Sequence, residues 1–258
     1  MDMENINYNS NFKIGMSGYV FNKLINLLKT VNTEIKFVNE LNGIKILTVD
    51  VSHVSMLNIF VQKEALLEYD TDGNSIFALN LKQLPKISDN DNIFLSRVNG
   101  VLRIYYNNMN MVIKELENDS ITTPRIPDLK FDGYIAIETK KLTDFFRDGY
   151  KISDSVKFDL DNDGLILSCK NYMDNEINLK LLKDYDYIMS KTMDKIISYY
   201  PSECIYKLLK AIKSVFDIHM SFKNNYPMKI IFKMPITKYK DAKRLIDVDY
   251  YLAPREVD

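Results

Sequence analysis

Tryptophan is absent from this 258-residue chain, and cysteine, histidine, proline and glycine number two, two, seven and eight. Cys169 and Cys204 are too few and too far apart for a disulfide framework or a thiolate metal site, and such sparse usage fits a reducing compartment. His53 and His219 have no partner at ligand spacing, which argues against a metal centre. So few glycines supply no phosphate-cradling loop, and neither a nucleophile elbow nor a Cys/His arrangement is present. No uncharged apolar run is long enough to span a bilayer, and Met1, Asp2, Met3, Glu4 and Asn5 place acids where a secretory leader has bases. The protein is therefore expected to stay where it is made, with no membrane partner. An excess of one charge is lacking too: 34 bases face 35 acids, a net of −1, so any basic surface has to be local.

What is present describes an ordinary globular protein, 46% hydrophobic and 27% charged, with material for one large domain or two of common size. The segment 117–131 divides it. Pro124 and Pro127 remove backbone donors and push their neighbours toward extended geometry, so neither a helix nor a central strand runs through. It reads as a connector with Ile121, Ile126 and Leu129 exposed, and the halves on either side follow one plan.

In the first half, residues 12–16 form a strand and Ser17 caps a helix running to about Val31, with Val20, Phe21, Leu24, Leu27, Leu28 and Val31 at helical spacing. Residues 34–39, a turn at Asn42 and Gly43, and residues 44–49 have the pattern of a β-hairpin. Strands follow at 56–62 and 66–70, then a turn at Asp72 and Gly73, and a brief helix over 81–87 that Pro85 interrupts. Strands at 93–96, 101–106 and 109–116 turn at Asn99-Gly100 and Asn107-Asn108. The second half repeats this order with a strand at 134–137, a helix from Thr139 to about Lys151, strands at 155–160 and 165–170, and a turn at Asp163-Gly164. Aligning the Gly43 and Gly164 turns gives an offset of about 121 positions. The same offset carries the Ser17 helix onto the Thr139 helix, and the segment near Lys82 onto a helix over 202–216. Each half is then a mixed α+β domain with two helices and many antiparallel strands.

Those helices share basic faces. Lys23 and Lys29 lie on the first, Lys82 and Lys86 near the second, Lys140, Lys141, Arg147 and Lys151 on the third, and Lys207, Lys210 and Lys213 on the fourth. Each alone is a solvated helix face; gathered by the sheets onto one surface, they would let a neutral protein hold a polyanion through phosphate contacts without base readout. The run Asp159, Asp161, Asp163 and Gly164 opens like a calcium loop, but the position that needs a bidentate glutamate is Lys170, so it reads as an exposed hairpin turn.

At Asp50-Val51-Ser52-His53-Val54-Ser55-Met56, Asn224-Asn225-Tyr226-Pro227-Met228 and Tyr250-Tyr251-Leu252-Ala253-Pro254-Arg255, the sequence resembles the proliferating cell nuclear antigen family, the sliding clamps of eukaryotes, archaea and some large DNA viruses. The resemblance runs from about Phe12 to the C-terminus. It implies the α+β DNA-clamp fold: two similar domains, 1–116 and 132–258, joined by the 117–131 connector, with two helices apiece packed on antiparallel sheets. Three identical subunits would close head to tail around duplex DNA, without catalysis or cofactor. By matching positions, Lys23, Lys29, Lys86, Arg147, Lys151, Lys207 and Lys210 would face DNA, with Asp144 standing where many relatives have a base. Ring closure would pair the strand carrying Met109, Met111 and Ile113 with one carrying Ile177, Leu179 and Leu181 in the next subunit.

The family docks short peptides with a glutamine and paired aromatics. Val49, His53, Met56, Ile126, Pro227, Tyr251, Ala253 and Pro254 match that apolar pocket. Two positions depart from the family pattern, Pro124 in the connector and Glu256 after Arg255. The implied partners are a DNA polymerase, other replication and repair proteins with such peptides, and a clamp loader. The implied location is inside the cell where DNA replicates, nuclear in a eukaryote and cytoplasmic in an archaeon or a cytoplasmic virus. The alternatives are a specialised clamp subunit, of a checkpoint-type heterotrimer or a viral clamp-fold protein, and an enzyme holding a metal on Asp159, Asp161 and Asp163.

Overall fold

In a computed structural model, residues 11–71, 74–184, 186–189, 195–239 and 243–256 are described; the Asp72-Gly73 turn lies outside them. The chain groups into two compact units, Met1–Val51 with Leu57–Arg125 and Lys233–Val248, and Ser52–Met56 with Ile126–Phe232 and Asp249–Asp258.

The first unit opens with β1 (Phe12–Ser17) and α1 (Gly18–Leu28). Ser17 caps the helix, its hydroxyl accepting from Val20 N at 3.3 Å. Val20, Phe21, Leu24, Ile25, Leu27 and Leu28 are buried along one face. The expected last turn to Val31 is present in a tighter form, Thr30 N and Val31 N each reaching back three residues at 3.0 Å. The strands β2 (Glu34–Glu40), β3 (Gly43–Val49), β4 (Ser55–Gln62) and β6 (Ser75–Asn80) form one antiparallel ladder in the order β4-β3-β2-β6. A second has the order β5-β1-β7-β8-β9, adding β5 (Glu68–Thr71), β7 (Asn92–Val98), β8 (Val101–Tyr106) and β9 (Met109–Ile113). Its hairpins turn through Asn99-Gly100 and Asn107-Asn108, all four at positive φ, the two-residue geometry that matches strand twist.

The second unit repeats these elements 121 residues on: β10 (Gly133–Glu138), α2 (Thr139–Ile152), β11 (Ser155–Leu160), β12 (Gly164–Lys170), β13 (Glu176–Leu182), β15 (Ile196–Pro201) and α3 (Ser202–Ala211). Its ladders run β13-β12-β11-β15 and β14-β10-β16-β17, with β14 (Tyr187–Met189), β16 (Asp217–Phe222) and β17 (Met228–Pro235). β18 (Arg244–Leu252) divides its residues between the units. α2 and α3 stack Tyr150 on Tyr206, ring centres 4.3 Å apart.

One element departs from the plan. Where α3 has its counterpart in the first unit, a single 3-10 turn, Leu81–Gln83, stands instead of an α-helix. Asn80 Oδ1 accepts from Lys82 N at 3.0 Å and starts the turn. Pro85 then forces Leu84 to ψ 141°, and the helix cannot continue. A void of about 20 Å³ remains in the core, lined in part by Phe21, Ile25, Phe77 and Leu84.

Arg97 of β7 is the most buried charge in the first unit's core, 1% exposed. Its Nε donates to Glu115 Oε1 at 2.8 Å, its Nη2 to the other Glu115 oxygen and to Ile76 O at 2.7 Å, and its carbon lies 5.1 Å from the Phe12 ring centre. Leu116 N donates to Ala78 O at 2.9 Å just beyond. Breaking this pair leaves a buried, uncompensated guanidinium. Glu115→Ala is expected to lower the unfolding free energy by about 3 kcal/mol, whereas Lys13→Ala, which removes the exposed Lys13–Glu68 pair, changes it by about 0.5 kcal/mol or less. Urea midpoints of the two variants measure the difference.

Candidate functional site

The polar side of α1 carries Asn22, Lys23, Asn26 and Lys29 and no acid. Asn22 Nδ2 donates to Ile87 O at 2.8 Å and to Asp89 Oδ1 at 2.7 Å, which fixes the loop bearing Lys86 against the helix. Lys23 leans over the Tyr19 ring, 5.6 Å from its centre, and Lys29 and Lys86 are exposed without an ion pair among the described residues. The Asn22 amide, followed by Lys238 at 3.4 Å, keeps Asp89 ionised, its carboxyl held below the usual range.

In the second unit the basic face is interrupted. Arg147 pairs with Asp144 at 2.8 Å and Asp148 at 3.4 Å, and Lys151 with Asp148 at 3.3 Å. Lys141 turns away to Asp186 at 3.0 Å. On α3, Lys207 pairs with Glu203 at 3.0 Å, while Lys210 is exposed with no ion pair among the described residues. The basic face expected on the helices is thus free of acids on α1 and interrupted by them on α2. The pairs of Arg147, Lys151 and Lys207 are exposed, and such pairs add little stability.

The pocket residues other than Val49 lie in the second unit. Val49 ends β3 in the first, its carbonyl accepting from Asn32 Nδ2 at 3.1 Å. His53 is exposed with φ 56° in the loop before β4, and Met56 is buried. Ala253 N donates to Val54 O at 2.8 Å, so the His53–Met56 stretch and the C-terminal stretch lie side by side. Arg255 fastens the latter, its N on Tyr199 O and its Nη1 on Asp154 O, both at 2.8 Å. Tyr251 is buried beneath Lys229, whose Nζ is 5.3 Å from the ring centre and 3.1 Å from Asp249. Burial and the Asp249 carboxylate push the Tyr251 phenol up, keeping it a neutral donor to Asp249 at 3.3 Å.

Pro227 and Pro254 are half-buried, as is Ala253. Ile126 is 44% exposed on the irregular part of the connector, and the hydrogen bonds and ring contacts of this cluster do not reach it. Sequence reasoning placed Tyr226 in the motif before Pro227 without assigning it to the pocket and gave Phe131 no role; their rings meet edge to face at 6.1 Å beside Pro227.

The strands expected at ring closure, β9 and β13, are each the last strand of a ladder. Ile113 and Leu181 are buried, Met111, Ile177 and Leu179 half-buried, and Met109 exposed, so these alternating residues mostly face their own sheets and leave the backbone edge free to pair.

The acidic run is committed elsewhere. Burial would push the Asp159 carboxyl up, but Lys157 at 2.8 Å and Lys195 at 3.0 Å outweigh it and hold Asp159 below the usual range. Asp161 Oδ1 accepts from Asp163 N and Gly164 N at 2.9 and 3.0 Å, closing the hairpin turn. No metal-holding cluster of His, Cys, Asp or Glu occurs among the described residues, and none of their helices is long and apolar enough to cross a membrane.

Residues 12–124 match the family described as proliferating cell nuclear antigen, N-terminal domain. The DNA polymerase sliding clamp of Picrophilus torridus is 31% identical over 192 residues, 73% of this chain and 78% of that protein. The chain belongs to the proliferating cell nuclear antigen family. The sliding clamp of Thermoplasma acidophilum is 29% identical over 249 residues, 94% of this chain and 98% of that clamp. A solved structure described as the C-terminal region of FEN-1 bound to A. fulgidus PCNA superposes with a TM-score of 0.84 at 18% identity, covering 96% of this chain and 99% of that one. The clamp fold is thus shown, and the family is that of DNA polymerase sliding clamps.

Because the folded Asp159 carboxyl is depressed, the stability it adds is present above the unfolded carboxylate value and is lost as pH falls through the folded one. Asp159→Asn is expected to unfold at lower urea than the parent at pH 7, with the gap closing as pH falls below the unfolded carboxylate range. Added calcium or magnesium is expected to leave the melting temperature of both proteins unchanged.

Proposed function

We propose that this clamp closes as a head-to-tail homotrimer around duplex DNA and tethers partner proteins through the pocket beside Tyr251. It has no catalytic step of its own and works where DNA is replicated, after a loader opens it. The observation that carries this reading is the acid-free face of α1 with Lys29 and Lys86 exposed and without an ion pair among the described residues, echoed by Lys210 on α3. Lysines spaced along helices hold phosphates without reading bases, which permits sliding. Lys23, Arg147, Lys151 and Lys207 complete the proposed DNA contacts, the last three after yielding their acidic neighbours. The unpaired edges of β9 and β13 support closure, because an open edge in each unit finds its mate in another copy.

The domain division follows from the same reading, with residues 117–131 joining a 1–116 domain to a 132–258 domain. In the peptide pocket, His53, Met56, Ile126, Pro227, Tyr251, Ala253 and Pro254 would receive the paired aromatics of a partner peptide, and Phe131 and Tyr226 would add a wall. The neutralised face of α2 favours one second reading, a specialised subunit that assembles with non-identical clamp chains. Light scattering on the protein alone separates the two, as a chain that never forms trimers sinks the homotrimer.

Replacing Lys29, Lys86 and Lys210 together by Ala is expected to speed loss from nicked circular DNA at moderate salt and to leave the trimer intact, as read by gel filtration of labelled clamp. Retention equal to the parent would remove these lysines from the DNA face. In calorimetric titration with a peptide carrying a glutamine and paired aromatics, Ile126→Ser is expected to weaken binding at least tenfold, about 1.4 kcal/mol.

A further inference from the structure

Two lysines of the second unit stand over tyrosine rings beside the proposed pocket, and they are held differently. Lys229, over Tyr251, is bound to Asp249 at 3.1 Å. Lys223 has its Nζ 5.7 Å from the centre of the Tyr226 ring, and the carboxylate it pairs with, Asp132, is 3.8 Å away, outside hydrogen-bond reach. The side chains of this pair are 43% and 48% exposed. At such exposure an ion pair adds little stability, and a carboxylate within hydrogen-bonding distance would satisfy the ammonium better.

The backbone that carries Lys223 is fixed in advance. The buried Ser198 hydroxyl donates to Lys223 O at 2.8 Å and accepts from Asn225 N at 3.0 Å. Asn224 Oδ1 accepts from Ile197 N at 2.6 Å, and the buried Tyr200 hydroxyl donates to Tyr226 O at 3.0 Å. These bonds tie residues 223–226 to β15, with Asn225 at φ 46°. The Tyr226 ring also meets Phe131 edge to face, and Phe131 meets Tyr134 in the same way at 6.4 Å. A turn that presents both ring and cation is therefore set before a ligand arrives, which lowers the entropy cost of using it.

Resting on the peptide pocket proposed above, we propose that Lys223 sets its charge preference: the peptide that binds best carries an aspartate or glutamate next to its aromatic pair, and that carboxylate docks on the Lys223 ammonium at the Tyr226 rim. A cation at the rim of an apolar pocket selects for an opposite charge and against a like one, and its effect fades as salt screens it.

Calorimetric titration of the full chain tests this with peptides that share a glutamine and paired aromatics and carry two aspartates, two serines or two lysines, placed just before or just after the aromatics. At one of these placements the parent is expected to bind the aspartate peptide about threefold tighter than the serine peptide, and the lysine peptide more weakly than either. High salt should narrow the spread. Lys223→Gln should level it and Lys223→Glu should invert it, while the serine peptide binds all three proteins alike. The side chain of Lys223 takes no part in the bonds that tie the turn to β15, so both variants are expected to melt with the parent. A spread that survives Lys223→Gln, or peptides that bind the parent equally whatever their charge, overturns the role of Lys223. A parent that prefers the lysine peptide overturns it too and hands the choice to Asp132. Failure of every peptide to bind overturns the pocket itself.

Discussion

A guanidinium withdrawn from water needs its charge and all its donors answered on the spot, and Arg97 meets that demand with partners drawn from several elements. Its carboxylate comes from the stretch after β9, its carbonyl from β6 in the other ladder, and its aromatic face from β1. Because one side chain must satisfy all three, the two ladders of the first unit and the exit of β9 are fixed together. Hydrophobic packing alone would let the ladders slide; directional bonds to a buried cation do not. The short strand β9 is consequently held at its C-terminal end and open along its length.

The two units share a plan and differ in how they use it. The same offset carries strands, turns and the first helix from one to the other, yet Pro85 truncates the second helix of the first unit, whose core holds a small void lined in part by Phe21 and Leu84. The second unit keeps its full helix and stacks Tyr150 on Tyr206, but answers much of its own positive charge with Asp144, Asp148 and Glu203. The unit with less helix therefore has the cleaner basic face.

Much of this was legible in the residues. Ser17, the Asn-Gly and Asn-Asn pairs and the alternating strands act through neighbours in sequence, so their geometry follows from local rules. The tighter end of α1 and the end of α3 at Ala211, short of the expected residue 216, were not, because fraying depends on which carbonyl lies nearest. The partners of Arg147, Lys141 and Asp159 were equally hidden. Lysines counted on a helical face carry no sign of whether an acid three residues away, or on a distant loop like Asp186, will meet them. Phe131 escaped because ring-to-ring contact with Tyr226 is a tertiary fact.

The connector is tied at both ends within its own neighbourhoods, at the start by Glu115 and Leu116 and at the finish by Asp132 N on Phe222 O at 2.9 Å. Between those ties, Pro124 and Pro127 remove backbone freedom that a glycine-rich strap would keep. If the connector orders over a peptide in the pocket proposed above, it forfeits less entropy than a free chain of equal length. Recognition there would be biased toward ligands that fit the shape the prolines already impose, and away from those that would need the strap to remodel.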